Sequence, residues 1–200
     1  ALSLSPSLSP SPSLCAASRS DLSELRRKAY QYCALRPEIT PLYLLLEVRG
    51  NASKFGAARS VADWDEVVLA LRAYAEDELA GTPLRLVEFA SMSYCEQVRT
   101  AAGAKLFIGV HGQGLTNAIF MQDGGMVVEM IHPGWKLRRS YQPFALAVGL
   151  RFISFPIVTN CDVINWQVNA KCTTVVNASR LRAALHAHRQ LDMAMQTALL

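Results

Sequence analysis

The chain has 200 residues, 51% of them apolar and 18% charged, which is enough to bury the core of one sizeable domain. Lys and Arg exceed Asp and Glu by 20 to 16, a small excess with no basic stripes and no interleaved aromatics, so no nucleic-acid partner is expected. No apolar run reaches the roughly 18–20 residues of a spanning helix; a membrane anchor, if there is one, is expected outside this chain. The start at Ala1 rather than Met suggests a fragment or processed product of a longer chain.

Residues 1–19 are a Ser/Pro/Leu tract, "LSLSPSLSPSPSL". Proline removes backbone donors and the leucine spacing buries nothing, so a disordered linker or stalk is expected, followed by one domain over 20–200. Asp21, with Glu24 three residues on, predicts a helix start, and Pro37 stops that helix after about Leu35. "PLYLLLEV" reads as a buried strand. Asp63 and Glu66 open a long amphipathic helix that ends at Gly81. "LRLVEF" is a second strand, and Ser93-x-x-Glu96 opens a short helix closing at Gly103.

"LFIGV" is the third strand, and the loop after it runs into a helix through Met121. "MVVEM" is the fourth strand. A helix from about Leu137 to Val148 precedes "RFISF", the fifth, and Ser179–Leu200 is a final amphipathic helix. Strands that alternate with helices of ten or more residues predict a parallel sheet with crossover helices. Their continuous apolar runs are those of strands buried on both faces. The expected fold is α/β and Rossmann-like.

The five cysteines include no CxxC pair, so no metal site is expected. Cys161 and Cys172 bracket a loop-like segment and are the candidate disulfide. Asn51 and Asn177 each head an Asn-Ala-Ser sequon, a glycan acceptor in a secretory lumen.

The chemistry concentrates in "LFIGVHGQGLTNAIF", residues 106–120. Ligands of an open parallel sheet settle outside the carboxyl ends of its strands. There Gly112 and Gly114 allow close approach to the backbone, and the following helix N-terminus favours an anion. Thr116 and Asn117 add side-chain donors, and His111 can donate to a phosphate oxygen. These parts suit a diphosphate. Neither GxGxxG nor GxxxxGK[ST] is present, and there is no GxSxG elbow. The alternative is a plain strand-to-helix turn.

The stretch "LFIGVHGQGLTNAIFMQDGGMVVEMIHPGW" resembles the signature of glycosyltransferase family 61, in which a strand is followed by HGAGLTN or similar, then a turn, then a "VVEI" strand and a proline. "LLEVRGNASKFGAARSVADWDEVVLAL" and "LVEFASMSYCEQVRTAAGAKLFIGV" are similar to the family's upstream segments, so the resemblance covers about residues 40–157. The sequence departs from the pattern at Gln113, where a small residue is usual, and at Met121-Gln122-Asp123, where Leu-Pro-Pro is usual.

The resemblance implies the C-terminal, donor-binding half of a GT-B transferase, inverting and without an essential metal or other cofactor. The acceptor domain is expected to be missing or truncated. It implies a UDP-sugar donor, with xylose or N-acetylglucosamine transferred, and a glycan or glycoprotein acceptor. It also implies a Golgi or endoplasmic reticulum lumen reached by a type II membrane anchor. His111, Gly112, Gly114, Leu115, Thr116 and Asn117 carry over as the diphosphate cradle, Leu115 chiefly by packing the helix onto the sheet. Glu129 is expected to take ribose hydroxyls. Arg49, with Arg59 or Lys54 second, is expected to neutralise the leaving diphosphate. His132, Trp135, Arg138 and Arg139 are candidates to meet the uridine or the sugar. No general base is identified. The competing reading is a non-catalytic nucleotide-binding module or scaffold.

Overall fold

A computed structural model describes residues 18–48, 61–62, 64–131, 141–159 and 174–197. Arg49, Asn51, Lys54, Arg59, Asp63, His132, Trp135, Arg138, Arg139, Cys161 and Cys172 lie outside the described residues, as does the tract before Ser18.

Five parallel strands form the sheet: β1 (Tyr43–Glu47), β2 (Leu84–Val87), β3 (Ala104–Val110), β4 (Met126–Ile131) and β5 (Arg151–Pro156), in the order β2-β1-β3-β4-β5. The fold is the expected Rossmann-like, doubly wound α/β arrangement. The helices are α1 (Arg19–Tyr32), α2 (Trp64–Glu78), α3 (Tyr94–Ala102), α4 (Tyr141–Ala147) and α5 (Ala178–Thr197). A short antiparallel pair, β6 (Val158–Thr159) and β7 (Thr174–Val175), follows β5; strands of two residues carry no periodicity to read.

The two faces of the sheet are sorted by alternation along each strand. Leu45, Phe107 and Val127 point to the face covered by α1, α3 and α4. Leu44, Leu46, Ile108 and Val128 point to the face covered by α2 and α5. Every residue of β1 and of β4 is buried, which is why these runs read as continuously apolar. Each fully buried aliphatic or aromatic side chain contributes about 1.5–3 kcal/mol, so the strand centres dominate the stability of the domain.

The helix starts show which local signals work. Ser93 caps α3, and its backbone N–H donates to Glu96 at 2.8 Å, closing the expected capping box. In α1 the cap is Ser18 rather than Asp21; Asp21 is the third residue and accepts the Ser18 N–H at 3.0 Å. The helix stops at Tyr32, earlier than Leu35, because Ala34 turns into the left-handed region at φ 54°. Asn177, exposed, caps α5 by accepting the Arg180 N–H at 2.9 Å, so the second sequon sits at a helix start.

α1 is tied to the body by buried polar groups and a covalent link. Arg26, whose side chain is 13% exposed, donates to the carbonyls of Ile119 (2.7 Å) and Val148 (2.9 Å) and pairs with Asp123 at 2.5 Å. Burial pushes the Asp123 carboxyl up, but Arg26 and Arg19 outweigh it and hold the group below its usual value. Tyr30 donates to the Phe120 carbonyl at 2.5 Å, and burial raises its phenol. A disulfide joins Cys33, at the end of α1, to Cys95 in α3 across 62 residues of sequence. Nothing in the cysteine spacing marks that pair.

Candidate functional site

The chain enters the sheet at β1, runs out to the β2 edge, then returns to the other side of β1 as β3. The connections diverge between β1 and β3, and such a switch point leaves a crevice outside the strand ends. A cavity of about 880 Å³ lies there, lined by the ends of β1 and β2, the His111–Gly114 loop, Thr116, Asn117 and Tyr141. That volume falls in the range of small-molecule sites.

The loop is built for close approach. His111 extends the β3–β4 ladder by donating its N–H to the Met130 carbonyl at 2.8 Å. Gly112 then takes φ 152°, ψ −176°, a conformation open in practice to glycine alone. It starts a helix over Gln113–Phe120 that is 3-10 rather than α. Its first turn closes with the Leu115 N–H on the Gly112 carbonyl at 3.0 Å. Leu115 is fully buried beneath the loop, the packing role expected of it. A helix start leaves its first amides without intrahelical acceptors, and Gln113 and Gly114 supply the first amides of this turn at the cavity wall.

Thr116 and Asn117, expected as side-chain donors of the cradle, each bond to a carbonyl of the loop. Thr116 donates its hydroxyl to the Gln113 carbonyl at 2.6 Å, and Asn117 donates its amide to the Gly114 carbonyl at 3.2 Å. Both side chains brace the loop from within, and both residues line the cavity. Gln113, the departure from the family pattern, carries an exposed side chain at the cavity wall.

His111 and Glu129, 18 residues apart, come together. The Nδ1 of His111 is hydrogen-bonded to Oε1 of Glu129, whose carboxylate is 2% exposed. With Nδ1 on the carboxylate as donor, the neutral imidazole carries its acceptor lone pair on Nε2. The Tyr141 ring packs edge-on against the imidazole at 5.3 Å between centroids, fixing the ring on its other side.

Glu47 and Tyr141 are absent from the sequence-predicted set. Glu47 ends β1, is 5% exposed and lines the cavity. In the sheet register Gly109 stands opposite Glu47 on one side and Glu129 on the other. A signal for it is visible in retrospect: "LLLEV", "RLVEF" and "MVVEM" each set a glutamate at the end of an apolar run. Of the expected phosphate-neutralising residues, Arg49 follows β1 by two positions but lies outside the described residues.

Residues 6–128 match the family described as Glycosyltransferase 61, more than half of the chain. The chain belongs to glycosyltransferase family 61. The family match covers the HGQGLTN loop and ends one residue before Glu129. Among curated proteins, the chain is similar to the EGF domain-specific O-linked N-acetylglucosamine transferase of Mus musculus, 28% identical over 99 residues. These are 48% of this chain and 18% of that protein. The transferase of the same description from Gallus gallus is 28% identical over 97 residues, 48% of this chain and 17% of that protein. The matched region therefore spans under a fifth of the length of these relatives.

Proposed function

We propose that this family 61 chain is the donor-binding part of an inverting glycosyltransferase that takes its sugar from a UDP-sugar. The observation that carries the reading is the glycine loop at the β1/β3 switch point, opening on a cavity sized for a small-molecule ligand. In the reaction an acceptor hydroxyl on a glycan or glycoprotein attacks the anomeric carbon. The bond to the diphosphate breaks, and the electron pair leaves with UDP. The amides of Gln113 and Gly114 and the start of the 3-10 helix meet the growing charge. The His111 ring, held by Glu129 and Tyr141, is a further donor when protonated at Nε2. Arg49, two residues past the end of β1, is proposed to add the cationic charge that makes a metal unnecessary.

The remaining half of a GT-B enzyme, with the acceptor site and the general base, is proposed to belong to a larger protein. N-acetylglucosamine is the proposed sugar by likeness to the relatives named above, with xylose second. The Cys33–Cys95 disulfide supports residence in an oxidising compartment, and we place the enzyme in the Golgi or endoplasmic reticulum lumen on an anchor outside this chain. Among the described residues, no helix is long and apolar enough to cross a membrane.

Calorimetric titration tests the reading. UDP should bind the wild-type chain saturably, and His111→Ala should weaken it about tenfold, equivalent to about 1.4 kcal/mol. Absence of saturable binding by the wild type would sink the proposal and leave a scaffold role as the better description.

A further inference from the structure

The second sequon, Asn177-Ala178-Ser179, lies where the chain surfaces between two buried anchors. Val176, after β7, and Leu181, in the first turn of α5, are both buried in the core beneath α2 and α5. Between them Asn177, Ser179 and Arg180 are exposed. A bulky glycan belongs on the surface, and this step of chain is on it.

Asn177 is also the cap of α5, and the two tasks fall on different atoms of one amide. Its main-chain carbonyl accepts the Leu181 N–H at 2.9 Å, the first bond of the helix. Its Oδ1 accepts the Arg180 N–H and the Ser179 hydroxyl, each at 2.9 Å. A backbone N–H can only donate, so the atom facing Arg180 is the oxygen, and that bond fixes which way the amide points. The cap uses Oδ1 alone. A sugar on Nδ2 replaces one N–H hydrogen and leaves Oδ1 a carbonyl oxygen, so the cap survives the modification.

Capping alone accounts for an asparagine here, since Asn is among the best N-cap residues. N-linked modification asks for more: a hydroxyl two residues on, a middle residue other than proline, exposure, and a lumenal compartment. The first three meet at this turn, and the Cys33–Cys95 disulfide supports the fourth.

We infer that Asn177 carries an N-linked oligosaccharide on Nδ2 while its Oδ1 caps α5. This rests on the lumenal placement proposed above. In the transfer, Nδ2 attacks C1 of an oligosaccharide held on a lipid diphosphate. The C1–N bond forms, the C1–O bond breaks, and the electron pair leaves with the diphosphate. The proton lost from Nδ2 goes to a base of the lumenal enzyme that performs the transfer. No described residue of α5 lines the cavity at the β1/β3 switch point, so the glycan is anchored on an element that takes no part in that site.

The test expresses the chain behind a cleavable secretory leader in cultured eukaryotic cells. The peptide bearing Asn177 is then mapped by mass spectrometry before and after treatment with peptide N-glycosidase. The wild type should carry an oligosaccharide at Asn177 that the enzyme removes. Asn177→Asp and Ser179→Ala should lose it entirely, although Asp caps a helix as well as Asn does and Ser179→Ala leaves the Arg180 bond in place. Ser179→Thr should keep it. A wild type that has formed the Cys33–Cys95 bridge, and so has entered the lumen, yet leaves Asn177 unmodified overturns the inference and leaves capping as the residue's role. Should the variants not fold, the wild-type peptide decides alone. Protein isolated from its own source with Asn177 bare, while the leader-directed chain carries the glycan, overturns the lumenal placement and the inference together. The nucleotide-sugar reading stands or falls separately, on the UDP titration.

Discussion

Gly114→Ala is expected to cost about 1–3 kcal/mol of stability, the range of an overpacked core site, and to abolish UDP binding. The new Cβ would coincide with the Glu47 carboxylate at 1.8–2.2 Å. The Glu47 side chain, 5% exposed and seated against Gly109 as well, must leave its seat and swing toward the cavity to make room. Backbone conformation is not the reason, since Gly114 is not among the described glycines with positive φ. The cause is steric, so it is reversible by making room. Glu47→Ala combined with Gly114→Ala should recover most of the lost stability, a favourable coupling of the kind that double-mutant cycles read between touching residues. At roughly 2–4 °C per kcal/mol for a chain of this size, the single variant should melt several degrees lower. A double variant no more stable than Gly114→Ala alone would contradict the contact.

Breaking the Cys33–Cys95 bridge is expected to be the most destabilising covalent change. Closing a loop of 62 residues removes about 4 kcal/mol of chain entropy from the unfolded state. Cys33 is also buried against the core that joins α1 to α3. Cys33→Ser or Cys95→Ser should therefore lower the melting temperature by about 10 °C, and a thiol reductant should do the same to the wild type. The non-covalent ties of α1, Arg26 to two carbonyls and Tyr30 to a third, should keep the native fold populated near room temperature. A melting temperature indifferent to reductant, with the bridge verified by peptide mapping, would show that α1 is held by those contacts alone.

The central strands β1, β3 and β4 were legible because burial on both faces writes itself as unbroken apolar runs. The edge strands β2 and β5 are only partly buried, contrary to that expectation, yet their runs also became parallel strands of the sheet. Ser93-x-x-Glu96 was legible for a local reason: a capping box is set by residues three apart. The same logic placed the cap of α1 three residues late, at Asp21, because Asp21 is itself a good cap and the true cap, Ser18, ends a tract that reads as linker. What sequence could not show was pairing at a distance. Glu129 meets His111 across two strands, and Glu47 sits beneath a loop 67 residues further on. Such partners depend on strand order, and a run of apolar residues does not encode its neighbours. Cys33 and Cys95 escaped for the same reason. HGQG was legible as a close-approach loop, yet the object approaching Gly114 in the fold is a carboxylate of the protein itself.

The proposed nucleotide-sugar site is the cavity at the β1/β3 switch point. Hydrogen exchange of the wild-type chain with and without saturating UDP, read by mass spectrometry on overlapping peptides, addresses it most directly. Slowed exchange is expected in peptides spanning His111–Asn117 and the end of β1 at Glu47–Val48, with α5 unchanged. Exchange that is unaltered at His111–Asn117, or protection confined to the separate cavity between α1 and Asp123, would contradict it.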